Sequence, residues 1–101
     1  MSVDNMQNVA YERILLTGAE TADALGDDPS ETAPVKAYVT REVNFIAVTV
    51  VAPTESSIVN HFTLFGRDAA IEWLIENEQA LRAVWTARLV SYRLENARKS
   101  I

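Results

Sequence analysis

Arg67-Asp68-Ala69-Ala70-Ile71-Glu72-Trp73-Leu74-Ile75 opens the longest run of helical periodicity in the chain, which continues to residue 101 and holds both tryptophans. At about 100° per residue, Ile71, Leu74, Ile75, Leu81, Trp85, Leu89 and Tyr92 fall on one broad apolar stripe. Such a stripe needs an apolar surface to cover. Asp68 stands where a side chain caps free N–H groups of a first turn. Glu78 and Arg82 also lie within the stripe, one turn apart with the acid first, so they either pair at its edge or mark a bend near Asn77.

The surface to be covered is encoded upstream. Residues 35–52 are rich in β-branched and aromatic side chains, and as a single strand they would span about 60 Å, far beyond usual strand lengths. The run must fold back on itself. Its polar break, Arg41-Glu42-Val43-Asn44, predicts a hairpin of 35–41 and 45–52. Pro53-Thr54-Glu55-Ser56-Ser57 reads as the next turn and 58–65 as a third strand, giving a meander over 35–65. Short connections favour antiparallel neighbours, and 9–17 reads as a fourth strand. The expected fold is therefore α+β: an antiparallel sheet of three to four strands with a long C-terminal helix on one face.

Residues 1–8 are polar, without period, and read as a flexible tail; 9–101 read as a single domain. Between the first strand and the meander, residues 19–34 form an acidic loop that opens with a short helical turn at 19–25 and is punctuated by Gly26, Pro29 and Pro34. Glu20, Asp23, Asp27, Asp28 and Glu31 fall there with no base among them. This loop is a candidate contact for a basic partner surface, or a mimic of nucleic-acid phosphates in an inhibitor.

Catalytic chemistry finds few reagents. The chain has no cysteine, which excludes disulfides, thiolate zinc sites and cysteine nucleophiles. No Gly-x-Ser-x-Gly occurs, and Ser56 and Ser57 read as turn residues. His61 is the only histidine, and metal sites generally need several ligands. The acidic spacing does not match a calcium loop. Hence no catalytic residue, metal ligand or cofactor is assigned.

Charge is divided along the chain. Residues before Arg82 carry 13 acids and 4 bases, and from Arg82 onward there are 5 bases and 1 acid, so a −9 part precedes a +4 part. Arg82, Arg88, Arg93, Arg98 and Lys99 spread around the whole helix, while Asp68, Glu72 and Glu76 sit in its opening turns, as the helix dipole favours. Nucleic acid is not the expected partner, because its affinity comes chiefly from clustered Lys and Arg. The N-terminus lacks a signal-like pattern and no apolar run approaches a membrane span, which points to the cytoplasm.

The stripe leaves Trp73, Val84, Val90 and Leu94 unexplained. A helix apolar on more than one side has more than one neighbour. These positions, with the acidic loop, predict a non-enzymatic protein-binding module: a small inhibitor, immunity protein or accessory subunit of the kind phages and mobile elements encode, or a homodimer through the C-terminal helix. The rival expectation is a small homo-oligomeric enzyme or ligand-binding subunit, with a pocket between sheet and helix near Tyr38 and His61.

Overall fold

The β-branched run folds back as its length requires. β2 (Val35–Arg41) and β3 (Phe45–Val51) form an antiparallel hairpin, β4 (Ser56–Thr63) continues the meander, and β1 (Val9–Leu16) pairs with β2, in the order β1-β2-β3-β4. This computed structural model describes residues 8–99. The expected tail lies outside the described residues except for Asn8, a turn residue whose carbonyl accepts the Arg41 N–H at 2.9 Å just ahead of β1.

Register decides which face is apolar. Ala37 stands opposite Val50 and Val39 opposite Val48, while Ile46 pairs with Phe62 on its other side, so these side chains share one face. Val35, Ala37, Val39, Ile46, Val48 and Val50 are all buried. The third strand runs over 56–63 and not 58–65. A register shift beyond Val48 places Val59 in a bulge, and the turn closes earlier, with Ala52 N–H donating to Glu55 O at 2.8 Å. Ser56 and Ser57 are therefore strand residues, whereas Leu64 and Phe65 fall in the following turn, with Phe65 95% exposed.

The C-terminal run is two helices, α2 (Arg67–Glu76) and α3 (Glu78–Lys99), labelled after α1 (Gly18–Leu25). Gly66 precedes α2 without a side-chain cap, and Asp68 instead pairs with Arg67 at 3.2 Å. A Cβ at Gly66 would lie 2.9 Å from that of Phe62, which explains the glycine. The break falls at Asn77, with φ −99° and ψ 8°, where the Asn77 side-chain amide donates to Trp73 O at 2.8 Å. Asn side chains compete in this way for backbone groups.

The break lets one apolar stripe meet two surfaces. α2 lies on β2, β3 and β4, and α3 lies on β1 and α1. Ala70, Leu74, Leu81, Trp85 and Leu89 are buried, but Ile75 and Tyr92 are each 46% exposed: Ile75 lies just before the break at Asn77, and Tyr92 lies past Leu89, where α3 outruns the body. α1 is held by a reciprocal cap in which Thr17 and Glu20 bond each other's backbone N–H, and it ends at Gly26 with φ 73°. A short 3-10 turn (Pro29–Glu31) follows before β2. Both helical layers lie on one face of the sheet.

Candidate functional site

α3 is longer than the body it covers. Its buried residues end at Leu89, and every residue from Ser91 to Lys99 is exposed. With 3.6 residues per turn, Ala80, Val84, Ala87, Ser91 and Leu94 fall within an arc of about 80°, centred about 140° from Leu81, Trp85 and Leu89. All five face outward and are exposed, Val84 to 48% and Leu94 to 59%. Val90, 37% exposed, flanks them together with Ala83 and Ala97. A solvent-facing helix side is ordinarily polar. This one repeats at alternating steps of four and three, the spacing of a seam between two helices.

Charges border the seam on one side. Arg88 lies over the Trp85 ring at 4.7 Å from its centroid and reaches Glu55 at 3.3 Å. One heptad later Glu95 faces Arg98 at 3.8 Å. On the side toward α1, Arg82 pairs with Glu20 at 2.6 Å and donates to the Leu15 carbonyl, and Arg93 lies against Gly26. Arg82, Arg88 and Arg98 thus each face a carboxylate of the same chain.

The five acids of the 19–34 segment do not act together. The Glu20 carboxyl is bound into the α1 cap and the Arg82 pair, which hold it at about 2 against an ordinary 4.5; the Arg82 hydrogen bond contributes most and the Thr17 amide next. Asp28 caps the 3-10 turn, accepting from the Ser30 N–H at 3.0 Å and hydroxyl at 2.9 Å, and these bonds lower its carboxyl too. Asp23, Asp27 and Glu31 are exposed. Two acids serve the local fold, which leaves three presented to solvent.

Trp73 is separated from the other off-stripe positions. It lies in α2, half-buried against the core, with its ring edge-on to Phe62 at a centroid distance of 6.4 Å. Val84, Val90 and Leu94 lie in α3 on the far side of the break.

Tyr38 and His61 occupy the sheet face away from the helices. Their neighbours Val39 and Phe62 point into the core, and alternation turns Tyr38 and His61 outward. The space between sheet and helices is filled by Val39, Val48, Leu74 and Trp85, so the expected pocket is not formed there. Tyr38 lines a recess of about 210 Å³ with Val9, Thr40 and Thr49, while His61 borders a separate hollow with Phe45 and packs edge-on against that ring at 5.8 Å. The two residues do not share a site. Among the described residues no three His, Asp or Glu side chains come together as metal ligands, and no helix is long and apolar enough to cross a membrane.

Comparison with family models, with curated proteins and with solved structures finds no match to this chain. The functional reading therefore rests on its own geometry. Sequence inspection found Val84, Val90 and Leu94 but missed the seam, because Ala80, Ala87 and Ser91 are small enough to pass as filler. The four-three spacing was the available signal.

Proposed function

We propose that this chain is a non-enzymatic protein–protein interaction module that engages its partner through the outward face of α3. The observation that supports it is the exposure of Val84, Val90 and Leu94 along a helix face that bears no acid between Ala80 and Leu94. Burying them against a partner removes apolar area from water at about 25 cal/mol per Å². The core is complete without them. A small inhibitor, immunity protein or accessory subunit fits this division between a self-sufficient body and a projecting contact helix. Asp23, Asp27 and Glu31 add an acidic margin suited to a basic partner surface.

The test is affinity capture from native cells with the wild-type chain and with the Val84→Asp, Leu94→Asp double variant. A partner held by the first and lost by the second supports the module. Equal capture by both removes α3 from the interface. Replacing Asp23, Asp27 and Glu31 by Asn at low salt tests the acidic margin separately.

A further inference from the structure

We infer that the outward face of α3 is a self-pairing surface, on which a second copy of this chain lays its own α3 antiparallel. The inference rests on the interaction-module reading and names the occupant of its surface. Two features of the face carry it, the symmetry of the seam and the order of the bordering charges.

The seam reads Ala80, Val84, Ala87, Ser91, Leu94, Arg98. Turned end over end about a twofold axis near Leu89, it lies on itself in register: Leu94 of each copy meets Val84 of the other, Ala87 meets Ser91, and Ala80 meets Arg98. Medium and large side chains pack together toward the ends, and small ones meet near the axis, where the backbones approach most closely. The same pairing brings like borders together, so the two Arg88 side chains flank the axis. Glu95 of each copy lies about 7.5 Å along the helix from Arg88 of the other, within reach of two long side chains that lean toward one another. Two attractive pairs thus flank one like-charge contact. In a parallel pair these charges would instead face Ala83 and Val90, so charge complementarity selects the antiparallel arrangement. The opposite border, Ala83, Val90 and Ala97, bears no charge and opposes nothing. The present partners of Arg88 and Glu95 are exposed ion pairs of little individual worth, so both side chains are available.

Size sets the strength. The seam is about 27 Å long and one helix wide, at the lower end of specific interfaces. Each core is already closed around Trp85, Leu74 and Leu89. The expected species is a folded monomer in concentration-dependent equilibrium with a dimer.

Sedimentation equilibrium on the full chain tests this with Arg88→Glu, Glu95→Arg and an equimolar mixture of the two. The wild type dimerises; each single variant self-associates about tenfold more weakly, because both attractive pairs become like-charge pairs; and the mixture forms a heterodimer tighter than either homodimer. Should Arg88→Glu disturb the fold through Trp85, an Ala87→Cys copy mixed with a Ser91→Cys copy replaces it. The cysteine-free background makes the mixed disulfide the expected main product. A wild type that stays monomeric, single variants that dimerise unchanged, or a main product linking like positions would each overturn the self-pairing. If the wild type is monomeric but Leu94→Asp abolishes capture of a different protein, self-pairing fails and the interaction module stands. Loss of both results defeats both.

Discussion

Arg82 Nη2 stands 2.6 Å from Glu20 Oε2, and its other guanidinium nitrogen donates to the Leu15 carbonyl at the end of β1. One side chain thus ties α3 to α1 and to the sheet. Together with the buried Leu81, Trp85 and Leu89, it orients α3 so that the Val84–Leu94 side faces solvent.

That pair has a pH signature. The Glu20 carboxyl titrates at about 2 in the folded chain against 4.5 ordinarily, so the unfolded chain takes up its proton first as pH falls. Its contribution is complete above the unfolded value and is lost between that value and about 2. Thermal unfolding followed by circular dichroism should show the melting temperature falling over this acid range. Glu20→Gln keeps the cap, since glutamine also serves there, but lowers the melting temperature at neutral pH and flattens the acid decline. The exposure of the pair makes the effect modest and sensitive to salt. Parallel curves for the two proteins would show that the pair contributes nothing.

Trp85 is the largest fully buried side chain, with Arg88 over its ring and an indole N–H that has no hydrogen-bond partner among the described residues. Trp85→Ala should cost about 3–5 kcal/mol in denaturant unfolding. Trp85→Phe should cost clearly less, because it keeps most of the packing and removes an unpaired donor. Equal losses would mean that the indole nitrogen is bonded after all.

Gly26 ends α1 at φ 73°, and a Cβ built there would lie 3.1 Å from Arg93 Nε. Gly26→Ala should lower stability by about 1 kcal/mol, since an ordinary side chain is strained in the left-handed region. Gly26→Asn should recover part of that loss, because asparagine tolerates the conformation, although its Cβ still presses on Arg93. An alanine variant as stable as wild type would argue that α1 frays at this end.

Leu94→Asp and Val84→Asp should leave monomer stability within about 0.5 kcal/mol of wild type, as exposed positions do. Leu89→Asp, five residues before Leu94 but fully buried, should unfold the domain. If Leu94→Asp is as damaging as Leu89→Asp, the face is part of the chain's own core.

The sheet was legible because β-branched residues cluster over 35–52 and a strand that long must turn; the polar residues 41–44 marked where. Local pattern could not supply the tight turn closed between Ala52 and Glu55, which starts β4 two residues earlier, at Ser56, and leaves Leu64 and Phe65 in the next turn, or the one-residue bulge at Val59. The break at Asn77 was foreshadowed by Glu78 and Arg82 inside the apolar stripe. Their partners, Arg13 and Glu20, lie more than 60 positions earlier and could not be read from helix spacing. Distance likewise hid the Glu20–Arg82 ion pair, whereas the Thr17–Glu20 cap spans three residues and carries the local Thr-x-x-Glu signature. Val84, Val90 and Leu94 were recognisable because no second neighbour within the chain accounted for them, and none of the described residues covers them.

The most direct measurement is amide hydrogen exchange along α3 over about a hundredfold range of protein concentration. An isolated helix end is marginally stable in water, so residues 90–99 should exchange rapidly in dilute solution and become protected as concentration rises, while Leu81–Leu89 stay protected throughout. Exchange at 90–99 that is equally fast at every concentration would contradict pairing through α3.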